Sequence, residues 1–355
     1  MSPRTRAVIR ASLVVLALGA AAFVASPMGR YLLRAGWEEA GILWKRRPLT
    51  ELVADSTVSA PLRQRLQLVL DARQFAVDSI GLVAKESFTT YSALARDTLV
   101  LVLSASRRDT LAAHTWWFPV VGRFPYKGFF DFAEAQRVAA DMRDRGYDTY
   151  LRPASAFSTL GWFNDPLLST TVRQPAEAVV NTVVHELLHN TVFVRGQVVF
   201  NESFASFIGA HGAMAFYRSR GDTAAERRAR DDWEDDKALA EFWSTTAKAI
   251  DSVLAIPGRD SVARIAARDT VYARRRRWLM GDIAPRLRTV DTTRLRALQL
   301  DNAALIARRT YASDLALFDA LHRRSGGELR RTIEVIRTIT KEGGDAFAAV
   351  RGYVR

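Results

Sequence analysis

The sequence predicts an α+β fold, predominantly helical, in which a small mixed sheet precedes a unit of two close helices. Three observations predict it. Strand-like and helical stretches alternate between Thr98 and Leu151, two helix-length segments joined by a glycine turn run from Ala178 to Arg220, and nearly everything after Gly221 reads as helix. The chain has 355 residues, 48% of them hydrophobic and 10% aromatic, enough to bury a substantial core and too many to remain disordered.

Taken in order, the chain opens with Arg4, Arg6 and Arg10 and then an uncharged, largely apolar run from Ala11 to Gly29, the pattern of an export signal. Nineteen residues at 1.5 Å each reach about 28 Å, just enough to span a hydrocarbon core. Ala20, Ala21 and Ala22 would suit a signal peptidase, whereas Pro27 disfavours cleavage after Ser26. A retained anchor over residues 1–30 is the favoured expectation. Basic residues ahead of the span then place the amino terminus in the cytoplasm and the body outside, although Arg30 and Arg34 lessen the contrast. The absence of cysteine is compatible with export.

Arg34 to about Asp78 is expected to be helical, with breaks at Pro48 and Pro61. Thr98 to Ser104 reads as a strand, Ala133 to Gly146 as a helix ending at glycine, and Tyr147 to Leu151 as the next strand. Gly122 to Phe130 is either a hairpin lining a cleft or a packed surface loop. Pro175 opens a helix over Ala178 to Val194, Gly196 stops it, and a second helix from about Asn201 to Arg220 carries Glu202 in its first turn. Ala205, Gly209, Ala210, Gly212 and Ala213 let those two helices approach closely. Beyond Gly221, breaks are expected near Pro257-Gly258, Pro285 and Gly326-Gly327.

The first of the paired helices carries His185-Glu186-Leu187-Leu188-His189. Residues four apart share a helix face, so His185 and His189 can offer their rings to one metal ion, while Glu186 points where a metal-bound water would sit. Glu202 is the expected third ligand. Two neutral imidazoles and a carboxylate suit one Zn2+ ion and leave the fourth tetrahedral position for water. With five histidines in the chain, such a motif arises by chance on the order of a few times per thousand sequences, so its helical context matters. His211, nine residues after Glu202 and about 13 Å further along the helix, is read as a packing residue rather than a ligand.

The two-helix unit resembles the gluzincin metallopeptidases, and Asn201-Glu202-Ser203-Phe204-Ala205 is similar to the Asn-Glu-Gly-Phe-Ala signature of the aminopeptidase N family. Twelve residues separate His189 from Glu202, fewer than in that family. The spacing better matches a family of predicted bacterial aminopeptidases of the cell envelope, and that resemblance extends to Arg34-Ala35-Gly36-Trp37, Pro125-Tyr126-Lys127-Gly128-Phe129-Phe130, Ser158-Thr159-Leu160-Gly161-Trp162-Phe163, Asp165-Pro166-Leu167-Leu168, Asn302-Ala303-Ala304-Leu305 and Tyr311. Some members carry a lipobox cysteine, which this chain lacks. The resemblance implies a zincin-like core over residues 31–221, a helical carboxy-terminal part over 222–355 packing on it, and peptide substrates. It further implies an anchor in the bacterial inner membrane, with the catalytic part in the periplasm.

By the same resemblance, Glu186 is the general base, and Tyr311, with Tyr126 and His322 behind it, is the donor to the oxyanion. An edge strand at Phe157 to Trp162 would pair with the substrate backbone and bring Gly161 and Trp162 to the cleft; Trp162 and Phe163 as core aromatics are the equal alternative. Asn190, Asn201 and Ser206 are candidates for orienting the ligands. Asp165 and Glu177 are candidates for capturing a substrate α-amine, neither marked by spacing.

The net charge of +13 and the run Arg274 to Arg277 raise a nucleic-acid or anionic-surface partner. No nucleic-acid motif accompanies them, and Glu226 to Asp236 mixes acids with arginines as a solvated helix does, so nucleic acid is not an expected partner. A zinc-binding scaffold and an endopeptidase remain the alternative functions. An intramembrane protease would need further apolar spans. The sequence specifies no oligomeric state.

Overall fold

The computed structural model describes residues 3–94, 98, 100–118, 122–154, 166–309 and 313–355. The chain is 67% helical with small sheets. It begins with α1 (Pro3–Ala25) and α2 (Pro27–Trp44), then β1 (Arg47–Pro48), α3 (Leu49–Ala54), α4 (Ala60–Phe75) and β2 (Thr90–Ser92). Next come β3 (Val100–Arg107), β4 (Trp116–Phe118), β5 (Gly122–Phe124), β6 (Tyr126–Phe129), α5 (Phe132–Asp144), β7 (Tyr147–Ala154), β8 (Leu167–Leu168) and α6 (Ser169–Val172). The remainder is helical: α7 (Ala176–Thr191), α8 (Val198–Ser219), α9 (Thr223–Leu254), α10 (Ser261–Trp278), α11 (Thr292–Arg296), α12 (Asn302–Arg309), α13 (Leu315–Arg324), α14 (Leu329–Ile339) and α15 (Ala346–Val354).

The break expected at Pro61 falls just ahead of it, between α3 and α4; Pro61 sits in the first turn of α4, where its missing N–H costs nothing. Gly146, with φ +82°, ends the turn after α5, and Gly326 and Gly327, both with positive φ, separate α13 from α14. Gly122 to Phe130 is strand: β5 pairs with β4, and β6 joins the sheet β6-β3-β7, which is antiparallel throughout. A second three-stranded sheet, β1-β2-β8, is mixed, with β2 and β8 parallel.

Side chains alternate across β3, and both faces are used. Leu103 and Ala105 pack with Phe129, Ala135, Ala139 and Met142 under α5, while Val100 and Val102 meet Ala35 and Ile42 of α2. The principal core joins α3, α4, α7, α8 and the first part of α9 to α13, α14 and α15 around Phe200, Phe204, Phe207 and Phe318.

Asn302 explains one of the motifs singled out in the sequence. Fully buried, it donates through Nδ2 to the carbonyls of Arg107 and Thr110 at 3.0 Å and accepts from the Tyr272 hydroxyl at 2.8 Å. Its backbone N–H meets Asp148 Oδ2 at 3.0 Å, and Asp148 also holds Arg268 in a buried ion pair at 2.8 Å. The carboxy-terminal helices are thus riveted to the end of the sheet, with the Asn302 amide satisfied at both its nitrogen and its oxygen. The run Arg274 to Arg277 is partly structural as well, since Arg275 donates to the Thr245 carbonyl and Arg276 to those of Arg296 and Leu298.

No single described helix is long and apolar enough to cross a membrane. Ser12–Ala25 and Met28–Trp44 meet the requirement only as a pair, bent by 83° at the break. Ser26 makes that break: its hydroxyl accepts from the Gly29 N–H and caps α2, while Pro27 supplies the first residue.

Candidate metal centre

The hairpin α7–α8 positions the site. Valines and leucines of α7 (Val179, Val180, Val183, Val184, Leu187, Leu188) are buried, which turns the face with His185 and His189 toward α8. Closeness between the helices is set by two glycines. A Cβ placed on Gly209 would lie 2.8 Å from the Asn181 carbonyl oxygen and 3.2 Å from His185 Cβ, and one on Gly212 would lie 2.7 Å from Val184 Cγ1. Only glycine permits this approach.

Two side-chain amides fix the turn. Asn201 accepts from the Val194 N–H and donates to the Val194 carbonyl, each at 2.8 Å, so a single buried amide satisfies both backbone groups of one loop residue. Gln197 bridges outward, donating to the Gly344 carbonyl at 2.6 Å and accepting from the Ala346 N–H at 2.9 Å. Gly196, with φ +77°, supplies the reversal. The second helix starts at Val198 rather than near Asn201, because Phe200 packs on Phe318 and Phe347 and extends it. Glu202 therefore lies just past the first turn.

The result is a close cluster of candidate ligand atoms. His185 Nε2 and His189 Nε2 are 3.2 Å apart, His185 Nε2 is 3.5 Å from Glu202 Oε2, and His189 Nε2 is 3.6 Å from Glu202 Oε1. Metal–ligand bonds of about 2.0–2.1 Å at the tetrahedral angle put neighbouring ligand atoms about 3.3 Å apart. The two nitrogens fit that edge, and each lies near it from a different Glu202 oxygen, Oε2 for His185 and Oε1 for His189. Two imidazole nitrogens facing each other can share only one proton, whereas a cation between them and the carboxylate would satisfy all three. Among the described residues, these are the acids and imidazoles close enough together that they could hold a metal ion.

The protonation states suit the role. Burial, aided by His185, pushes His189 down to about 4, so its ring is neutral at ordinary pH. Burial acts to raise the Glu202 carboxyl, but His185 and His189 outweigh it and hold the group below its usual range. Glu186, between the imidazoles in sequence, is exposed beside them.

The other expected residues fall in several places. Asn190 donates to Ser87 Oγ at 2.9 Å, and Ser206 donates to the Glu202 carbonyl at 2.8 Å. His211 donates through Nε2 to Asp319 Oδ1, 3.1 Å away, and packs on Phe207; His322 lies against His211 and bonds Thr332. That pair forms its own cluster with Trp233 and Lys237, both of which donate to Asp319. Tyr126 lies on β6, with its ring beside Phe124. Glu177 is engaged by Arg228 at 2.5 Å, two helical turns from His185. Gly161, Trp162, Asp165 and Tyr311 lie outside the described residues.

A cleft of about 240 Å³ opens along α7, lined by Glu177, Ala178 and Asn181 of that helix, Ala210 and Ala213 of α8, and Asp232 and Asp236 of α9; none of His185, Glu186, His189 and Glu202 lines it. Asn181 is one helical turn before His185. Asp236 is open to solvent within the cleft, yet the protein packed around it, together with Asp232 and Asp235, pushes its carboxyl up to about 7. Asp235, by contrast, is buried and accepts from the N–H groups of Arg288, Thr289 and Val290. The stretch Glu226 to Asp236 is therefore not simply a solvated face. Its signal in sequence was the pair Asp232 and Asp236, four apart on a face otherwise lined by Ala225, Ala229 and Ala240.

No curated protein and no solved structure matches the chain. Residues 30–346, which include the whole α7–α8 hairpin, match the model of the family described as "Putative aminopeptidase". The chain belongs to that family.

Proposed function

We propose that the chain is a zinc-dependent aminopeptidase of the bacterial cell envelope, held at the inner membrane by its amino-terminal segment with the catalytic part in the periplasm. The observation that carries this reading is the convergence of His185, His189 and both oxygens of Glu202, with exposed Glu186 beside them. A bound zinc ion supplies Lewis acidity at the scissile carbonyl and lowers the pKa of a coordinated water toward 7. Glu186 accepts a proton from the attacking water on its carboxylate and returns it to the nitrogen of the leaving amine. His185, His189 and Glu202 hold their positions because the hairpin packing and the Asn201 clasp leave little freedom.

Tyr311 is the proposed donor to the oxyanion. Ser313, two residues later, donates its N–H to Ser203 Oγ at 3.1 Å, next to Glu202 in sequence. Gly161 and Trp162 are proposed to pair with the substrate backbone. The acidic cleft supports exopeptidase action, since Asp232 and Asp236 offer negative charge to a free α-ammonium in a cleft whose lining includes Asn181, one helical turn before His185.

Peptide libraries with free and with acetylated amino termini test the reading. Cleavage of free but not acetylated peptides is expected, with chelation abolishing it. Internal cuts in acetylated peptides would make the protein an endopeptidase, and no cleavage by zinc-loaded protein would make it a binding scaffold. Glu186→Gln should retain zinc and lose about 100-fold or more in kcat.

A further inference from the structure

α2 has two opposite apolar faces. Ala35 and Ile42 point inward and pack on Val100, Val102, Phe130 and Leu168. Half a helix turn around, at spacings of four, three and four residues, Leu33, Trp37, Ala40 and Trp44 form an exposed stripe, with Trp37 77% and Trp44 90% accessible. Single exposed hydrophobics are ordinary, but two tryptophans in line on one helix are not.

The surroundings of the stripe are basic. Arg30 is exposed at one end of α2, and Lys45, Arg46 and Arg47 are exposed at the other. Arg47 pairs with Asp55, while Lys45 and Arg46 have no acidic partner among the described residues. Next to α2 stands α1, whose Leu13, Val14, Val15, Leu16 and Leu18 are all exposed. The bend of 83° between the two sets α2 in the plane of any bilayer that α1 enters along its normal.

We infer that α2 is an interfacial helix seated on an anionic lipid bilayer, with Leu33, Trp37, Ala40 and Trp44 buried at the headgroup–acyl boundary and the catalytic body attached to its other face. Tryptophan favours that boundary, since its ring is apolar and its indole N–H finds headgroup or water partners. Lys45 and Arg46 add electrostatic attraction to anionic headgroups. The body is thereby held against the membrane surface through Ala35 and Ile42 instead of swinging on a tether. The inference deepens the anchoring reading of α1, and its test separates the two.

The absence of cysteine allows single spin labels in the full-length protein. Labels at Leu16→Cys, Leu33→Cys, Trp37→Cys, Trp44→Cys and the remote, exposed Val262→Cys would be compared in vesicles of phosphatidylcholine with a quarter phosphatidylglycerol. Labels at positions 33, 37 and 44 should be relaxed more by oxygen than by a water-soluble nickel chelate, and that at 262 the reverse. A water-exposed signal at 37 and 44 with a lipid-buried label at 16 would overturn the role of α2 and leave the anchor standing. Water-exposed signals at all of them would overturn both. Dipolar broadening at 37 and 44 would instead identify a second copy of the chain as the occupant and overturn the lipid assignment.

Discussion

Replacing Gly209 by alanine is the most direct probe of how the hairpin shapes the proposed metal site. The added Cβ would lie 2.3 Å from Asn181 Oδ1, which can rotate away, and 2.8 Å from the Asn181 carbonyl oxygen, which cannot. Ordinary contact starts near 3.4 Å, so α7 and α8 must separate by about 0.6 Å at this level. Overpacking of this kind costs about 1–3 kcal/mol. The same shift exceeds the roughly 0.2 Å tolerance of metal–ligand distances and would pull Glu202 away from His185 and His189. Zinc affinity should fall about 10–100-fold, the scale found when support for ligands is lost. Competition with a chromophoric chelator measures the affinity, and urea unfolding of the metal-free protein measures the stability. Gly281→Ala is the control, since nothing lies within 4 Å of its Cβ position; it should be neutral or stabilising by up to about 1 kcal/mol. If Gly209→Ala binds zinc like the parent and is no less stable, the close approach of the helices does not set the site.

Asn201→Ala leaves the Val194 N–H without its partner and the Val194 carbonyl with only the 3.2 Å bond from the Gln197 N–H, and should cost about 1–3 kcal/mol in urea unfolding, with weaker zinc binding as the turn loosens. Asp319, although burial acts to raise it, is brought down to about 2 by His211 and Lys237. A carboxyl depressed in the folded state stabilises above its unfolded value and loses that contribution as pH falls toward 2, so acid unfolding should begin near pH 4 and lose this component in Asp319→Asn. Asp236→Asn should lower kcat/KM for free-amine peptides about 10–100-fold, as expected for loss of a charge-assisted bond. In the parent, KM for those peptides should rise as pH falls through about 7, where Asp236 takes up its proton; a flat KM from pH 8 to 6 would remove Asp236 from substrate binding.

The helix period alone made His185 and His189 legible as partners, and Gly196 made the reversal that delivers Glu202 legible too. Both follow from local geometry, where neighbours in space are near neighbours in sequence. What escaped is set by distant packing. The start of α8 at Val198 depends on Phe318 and Phe347, more than a hundred residues away. Asn201, read as a candidate for orienting ligands, instead holds the turn, and nothing in its immediate sequence distinguishes those duties. Asp232 and Asp236 were hidden among charges because their role depends on α9 lying beside α7 and α8. The antiparallel pairing of β3 with β7 required the intervening α5 to return the chain, which strand propensity does not encode.

All three proposed ligands fall within one helical hairpin, between His185 and Glu202, whose turn is closed by Asn201 through contacts seven residues apart in sequence. Closing so short a loop costs little chain entropy, so the coordination sphere can assemble as soon as this segment collapses, before the long-range strands register. An emerging chain could therefore take up its ion early, and the captured ion would hold α7 against α8 while the rest of the molecule condenses around them.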